Sequence, residues 1–139
     1  MSLTLAAAQT IVSAALAHGR EKGMKPLAVL VFDARGALKA AAVEDNNAWK
    51  RAEIATGKAL GALGMGVNSR ALGKIAEDRP HFTAALAHVF DGRLVPVAGG
   101  VIVKEGAEIV GAVGVSGDTS DNDEAAAMAG IAAAGLAGG

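Results

Sequence analysis

Two cations in the middle of the sequence, Arg51 and Lys58, are spaced to bind an anion. Segment 47–63 has the hydrophobic period of a helix, and positions seven residues apart lie on the same helical face. Ile54 lies between them on that face. Two cations flanking an apolar side chain suit a ligand with carboxylates and an apolar body. The other interpretation is a solvated face whose long side chains cover apolar surface with their methylene groups.

Four carboxylates, Asp118, Asp121, Asp123 and Glu124, lie where the last predicted helix begins. Their spacing differs from that of an EF-hand, and no histidine is near them in the sequence. The helix dipole favours acidic side chains in a first turn. We therefore interpret this cluster as helix capping rather than as a metal site.

A loop formed by Ser116 and Gly117 joins the preceding strand to this helix. The serine does not fit a nucleophile elbow, because Asp118 stands where that motif needs its second glycine. Gly111, Gly114 and Gly117 also lack the spacing of the dinucleotide-binding fingerprint. Free N–H groups at the helix start could hold an anion here. A plain strand-to-helix connection explains the same residues equally well.

The three histidines, His18, His81 and His88, are not spaced to share a metal ion. His18 lies at the edge of the apolar stripe of the first predicted helix. The chain has no cysteine, which excludes disulfides, iron–sulfur ligation, thiolate catalysis and zinc sites of the finger type. A single histidine is more often a surface or hydrogen-bonded residue than a ligand.

Hydrophobic periodicity predicts the elements that position these residues. Their order is α-β-β-α-(α)-β-β-β-α, and hairpins with helices between them favour an α+β fold in which helices pack on an antiparallel sheet. Thr4 is the expected N-cap of the first helix, and residues 33–36 are the expected hairpin turn. Helices are predicted at 5–18, 47–63, 69–77, 81–89 and 122–136, and strands at 27–32, 38–43, 95–98, 100–104 and 108–115.

Composition places the chain among globular proteins of one domain, residues 1–139. Hydrophobic residues make up 52% and charged residues 19% of the sequence, so the chain is not disordered. A net charge of −1 gives no general attraction to nucleic acid or anionic membrane. The apolar opening run, residues 3–16, lacks a basic n-region and is too short to span a bilayer. We expect a cytoplasmic protein that binds neither nucleic acid nor membrane.

Six sequence blocks carry a resemblance that extends over essentially the whole chain. The most specific part is a Gly-Gly-Val-Ile-Val block followed by Ile-Val-Gly-Ala-Val-Gly-Val-Ser-Gly and then Asp-Glu-Ala. The blocks lie at residues 3–8, 28–38, 55–59, 99–103, 109–117 and 123–125. Together they resemble the GlcG/HbpS-like family of small heme-degrading-domain proteins, which includes the C-terminal domain of PduO-type adenosyltransferases. The resemblance implies a profilin-like domain with a five-stranded antiparallel sheet, usually assembled into homo-oligomers.

The same resemblance makes heme, or another anionic small molecule, the leading candidate ligand, since some members bind heme. Cysteine and tyrosine are absent, so an axial ligand to heme iron would be histidine, methionine or lysine. We predict His18 as the first choice and His88 as the second. Arg51 or Lys58 would face the propionates.

The resemblance also implies a pocket near Lys58 and two glycine-containing loops, and we predict that Lys58 and Glu124 share it. The predicted ligand-binding residues are Arg51, Lys58, Gly99, Gly100, Ser116, Gly117 and Glu124. The alternative is a cofactor-independent enzyme of a catabolic pathway acting on a small carboxylate. Lys58 would then hold the substrate, and Glu124 or Asp123 would act as general acid or base. We also predict a homo-oligomer with an alanine-rich helix, 47–63 or 122–136, at an interface.

Overall fold

The strands form one antiparallel sheet in a computed structural model that describes residues 2–139. They are β1 (Ala28–Asp33), β2 (Leu38–Val43), β3 (Gly100–Glu105), β4 (Glu108–Ser116) and β5 (Ala137–Gly138). Their spatial order is β2-β1-β4-β3-β5. In the turn between β1 and β2, Gly36 has a φ of 82°, and the Asp33 carboxylate accepts the N–H groups of Arg35 and Ala37. The sheet confirms the predicted fold class, and the turn lies where predicted.

Helices cover both faces of the sheet. They are α1 (Leu5–Glu21), α2 (Arg51–Met65), α3 (Ser69–Asp78), α4 (Pro80–Val89) and α5 (Ser120–Ala133). α1 and α5 pack against each other on one face, and α2 packs across β1, β3 and β4 on the other. The hydroxyl of Thr4 caps α1 by accepting the Ala7 N–H, as predicted. Within residues 2–139, no helix has the length and apolar character needed to cross a membrane.

The buried strand β1 separates two apolar clusters. Val29 contacts the cluster under α1 and α5, whereas Leu30 contacts Ala55 and Ala59 of α2. A β-carbon at Gly114 of β4 would overlap the carbonyl oxygen of Ala55, so glycine is needed for the helix to come this close. The small side chains on this side of α2 therefore serve a helix–sheet contact within the chain.

The predicted strand at 95–98 is wrong. The Val95 N–H donates to the carbonyl of Gly57 in α2, and Pro96 has no N–H with which to join a ladder. These residues instead lie against α2 and lead into β3. The fifth strand is β5, which pairs with Val103 and Lys104 of β3.

Candidate functional site

Lys58 is the most deeply buried cation near the predicted site. Its side chain is 2% exposed, and that of Asp123 is 1% exposed. The Lys58 Nζ donates to Asp123 Oδ2 at 3.1 Å and to the Val115 carbonyl at 3.0 Å. Because Lys58 belongs to α2 and Asp123 to α5, this ion pair links the helices on the two faces of the sheet.

Asp123 also fixes the loop that precedes α5. Its Oδ1 accepts the Asp118 N–H at 2.9 Å, while Asp118 Oδ1 accepts the Lys25 N–H at 2.9 Å. Thr119 caps the helix by accepting the Asn122 N–H. The hydrogen bonds that the Asp118 carboxylate accepts, first from the Lys25 N–H and then from the Asn122 side-chain amide and the Thr119 N–H, lower the pKa of Asp118 to about 2. Asp121 and Asp123 lie in the first turn of α5, where the helix dipole favours them, but the residue that caps the helix is Thr119 and not a member of the acidic cluster.

Burial lowers the pKa of Lys58 from its ordinary value of 10.5, because the ammonium group loses its hydration. The Asp123 carboxylate opposes this shift through its charge and its hydrogen bond. The positive charge of Arg51 lowers the pKa slightly further. The arrangement is a buried charge held by one carboxylate and one carbonyl.

Two glycines are required by the packing around Lys58. Gly99 has a φ of 128°, and a β-carbon there would lie 2.7 Å from Lys58 Nζ and 2.8 Å from the Val115 carbonyl oxygen. At Gly100 a β-carbon would overlap the Lys58 carbonyl. The backbone at these glycines thus encloses the lysine side chain and leaves no room for a further group there.

Glu124 points away from Lys58, although the two were predicted to share a pocket. Its carboxylate accepts hydrogen bonds from the Arg70 guanidinium at 3.1 and 3.2 Å. Arg70 also pairs with Asp121, and it bridges α3 to the first turn of α5. Adjacent helical residues point about 100° apart, so only one of Asp123 and Glu124 can face the interior.

An open cleft of about 570 Å³ lies beside the ion pair of Arg70 and Asp121. It runs between α3 and the start of α5, with residues 96–98 on its floor. Arg70, Lys74, Ala98 and Asp121 are among its lining residues. The cleft adjoins the Gly99-Gly100 turn, but Lys58 is not in its lining.

Arg51 lies at the end of the sheet where β4 finishes. Its Nη1 is 3.4 Å from Ser116 Oγ, and it forms no ion pair with a carboxylate in residues 2–139. Ser116 is fully buried. Four residues before Arg51, Asn47 donates to the Pro26 carbonyl, but its buried Oδ1 accepts no hydrogen bond from the described part of the chain. Arg51 and Ser116, both predicted ligand-binding residues, are therefore in contact.

The histidines differ in exposure. His18 lies in the last turns of α1 and is half-buried, whereas His81 and His88 of α4 are exposed. Within the described residues, no side chain or backbone group hydrogen-bonds the His18 imidazole. The described residues contain no group of three histidine, aspartate or glutamate side chains that could hold a metal ion. Any metal at His18 would have to arrive with its other ligands, as heme iron does.

The predicted residues do not form one site: Glu124 pairs with Arg70, His88 is exposed on α4, and most of the others lie in three places. Lys58, Asp123 and Gly99 form the buried centre, Arg51 and Ser116 lie at the sheet end, and His18 lies on the opposite face. Sequence reasoning missed Arg70, which pairs with Glu124 and Asp121, and Asn47, whose buried Oδ1 has no partner in the described residues. Arg70 carried no spacing signal, since its acidic partners lie more than fifty residues further on.

Fold and sequence together define a small α+β domain whose five-stranded antiparallel sheet carries helices on both faces. The model of the HbpS-like family, described as haem degrading protein HbpS-like, matches residues 3–132. The chain belongs to this family. No curated protein sequence matches it.

Solved structures share the whole fold. HbpS is 28% identical, with a TM-score of 0.83 over 95% of this chain and 89% of its own. A PduOC–heme complex is 22% identical, with a TM-score of 0.86 over 96% of this chain and 95% of its own. The Klebsiella pneumoniae protein ORFY is 24% identical, with a TM-score of 0.86 over 95% and 90%. The latter two likenesses concern the fold alone.

Proposed function

We propose that this protein binds heme, with the His18 imidazole as axial ligand to the iron. The observation that carries the proposal is a half-buried imidazole without a hydrogen-bond partner in the described residues. An imidazole with a free nitrogen is a ligand that heme iron commonly takes from proteins. The family description, which names haem, supports this choice of ligand.

The surface of α1 that precedes His18 carries mostly short side chains, alanine, serine and threonine. His18 follows Ala7, Ile11 and Ala14 at helical spacing, so it borders the buried stripe of α1. Ala14 and Ala17 line an open groove of about 520 Å³ on α1; half of its lining residues are polar, and His18 is not among them. Heme would place its ring edge along these small residues and its iron at the imidazole.

The propionates need cations other than those predicted. Arg51 and Lys58 belong to α2, on the opposite face of the sheet from α1, and Lys58 is held by Asp123. Lys22 lies four residues after His18, is exposed and forms no ion pair in the described residues. We propose Lys22 as the propionate partner within one chain, whereas Arg51 would reach a propionate only from a second copy.

Titration with hemin, followed through the Soret band, tests the proposal. The wild type is expected to shift the Soret band at one heme per chain. His18→Ala should lose or alter that spectrum while its circular dichroism stays unchanged. The matched control is His88→Ala, because His88 is an exposed helical histidine and our second candidate ligand. Loss of the spectrum in His88→Ala, with His18→Ala unaffected, would overturn the assignment.

An enzyme acting on a small carboxylate remains the alternative. The observation in its favour is the lowered pKa of Lys58 beside Asp123, since perturbed pKa values are common at functional sites. Lys58 would hold the substrate carboxylate, and Asp123 or Glu124 would transfer the proton. Lys58 must leave Asp123 before any substrate reaches it. Lys58→Met combined with Asp123→Asn, which leaves no unpaired buried charge, would abolish such turnover but leave hemin binding unchanged, so the two functions are separable.

We also propose that the protein is a homo-oligomer. α2 uses its alanine face against the sheet, which leaves α5 as the better candidate for an interface. Met128 on α5 is 41% exposed and lies beside the edge strand β5. Light scattering that gives only the 13.7 kDa monomer at micromolar concentration would contradict this proposal.

A further inference from the structure

α4 presents a surface that the described chain does not cover. The helix contains no charged side chain, and none of its residues is buried. Within residues 2–139, each of the other four helices buries at least two residues. Val89, in the last turn of α4, is 75% exposed. Exposed apolar surface of this kind commonly marks a contact with another molecule.

The half-buried and the exposed residues of α4 lie on opposite faces of the helix. α4 contacts α3, and Phe90, which follows its last turn, packs on Gly64 of α2. The exposed residues follow the period i, i+3, i+4, i+7 and i+8 of one helical face. They are His81, Ala84, Ala85, His88 and Val89. Since the middle of this face is alanine, a second helix can approach to an axial distance of about 8 Å.

The two charges that flank α4 stand at the ends where its dipole disfavours them. Arg79 is the N-cap residue, and Asp91 follows the C-terminus, although the dipole favours an anion at the first end and a cation at the second. Asp78, next to Arg79, pairs with Lys74, and the Arg79 guanidinium lies over the Phe82 ring at 4.2 Å. Neither Arg79 nor Asp91 forms an ion pair within residues 2–139.

A second copy of α4, packed antiparallel, compensates both charges at once. Each helix N-terminus then lies beside the C-terminus of the other helix, so Arg79 of one copy meets Asp91 of the second, and two-fold symmetry repeats the contact. Each charge also meets the end of the facing dipole that favours it. Residues 79 and 91 are equally far from residue 85 in the sequence. The two-fold axis therefore passes near Ala85, where the small side chains let the helices cross.

We propose that α4 forms an antiparallel, two-fold symmetric contact with α4 of a second copy of this chain. The proposal specifies one interface of the homo-oligomer proposed above and rests on that proposal. This interface is separate from the one assigned to α5. Breaking a two-fold contact of this kind halves the assembly, whichever other contact remains.

Sedimentation velocity over a concentration series tests the contact. Ala85→Glu brings two like charges together at the axis and should halve the wild-type mass. Ala6→Glu is the matched control, since Ala6 is an exposed helical alanine of α1, and it should keep that mass. Arg79→Glu should also halve the mass, and Arg79→Glu combined with Asp91→Lys should restore it. An Ala85→Glu protein with the wild-type mass refutes the contact.

Met128→Glu, on α5, distinguishes a failure of this contact from a failure of the homo-oligomer proposal. A mass that falls in Met128→Glu but not in Ala85→Glu overturns the α4 contact alone, whereas a monomeric wild type overturns both proposals. Circular dichroism and hemin binding should be the same in every variant, which separates a lost contact from a lost fold.

Single-cysteine variants locate the axis, because the chain itself contains no cysteine. Ala85→Cys should form a disulfide-linked dimer under mild oxidation, since residues beside a two-fold axis lie within the short Cα separation that a disulfide requires. Ala6→Cys should stay unlinked. An Ala85→Cys protein that is linked no faster than Ala6→Cys would overturn the proposal.

Discussion

Replacing Asp123 by asparagine should reveal how much the buried ion pair contributes to the fold. Asparagine keeps an oxygen that can accept the Asp118 N–H, so the loop before α5 retains its hydrogen bond. What disappears is the carboxylate charge 3.1 Å from Lys58 Nζ. Lys58 is then left as an uncompensated cation in a position only 2% exposed.

The expected loss at pH 7 is about 3–5 kcal/mol, the usual effect of removing one partner from a buried ion pair. Lys58 can reduce this loss by releasing its proton. From its ordinary pKa of 10.5, deprotonation costs about 5 kcal/mol at pH 7 but only about 2 kcal/mol at pH 9. The folded variant binds fewer protons than its unfolded chain in this range, so its stability should rise with pH.

Urea unfolding followed by circular dichroism at pH 7 and pH 9 measures the effect. The matched control is Asp121→Asn, whose carboxylate is 79% exposed and should change stability by less than about 1 kcal/mol. If Asp123→Asn does not fold, Lys58→Met combined with Asp123→Asn should restore folding, because it removes the stranded charge. A single variant as stable as Asp121→Asn at both pH values would refute the reasoning.

Two further changes test other parts of the site. Gly99→Ala should destabilise the fold by at least about 2 kcal/mol in urea unfolding, because its β-carbon meets Lys58 and Val115 at a φ of 128°. Gly106→Ala, at a φ of 61° with no neighbour within 4 Å, should lose only about 1 kcal/mol, and equal losses would contradict the packing argument. For Asp118, whose folded pKa is about 2 against an ordinary 3.8, stabilisation is present above pH 4 and is lost as the pH falls toward 2. Asp118→Asn should lose about 1 kcal/mol of unfolding free energy at pH 6. As the pH falls from 4 toward 2, its stability should decrease less steeply than that of the wild type, and equal slopes would exclude this contribution.

The sequence predicts most of the fold because its local signals agree with the sheet. β1 is apolar from Ala28 to Phe32, and a turn suited to glycine follows it, so both the strand and its hairpin could be placed. β5 has only two residues, which is too short for any periodicity to show. Residues 95–98 look like a strand by composition, but their hydrogen bonds are decided by α2, which lies far away in the sequence.

Fewer contacts of the site could be predicted, because the way α2 and α5 cross the sheet decides which side chains pair. The seven-residue spacing of Arg51 and Lys58 correctly places both on α2. It does not indicate that Lys58 reaches between the strand ends to Asp123 while Arg51 stays at the sheet end. Whether Asp123 or Glu124 faces Lys58 depends on the rotation of α5 about its axis. Sequence periodicity does not define that rotation to within one residue.

Chemical rescue of a His18→Gly variant tests the proposed heme site most directly. Removing the imidazole leaves space at the iron that free imidazole can fill. The variant should bind hemin with an altered Soret band, and added imidazole should restore the wild-type spectrum. His88→Gly should keep the wild-type spectrum with or without imidazole. A His18→Gly protein whose hemin spectrum equals that of the wild type before imidazole is added would contradict ligation by His18.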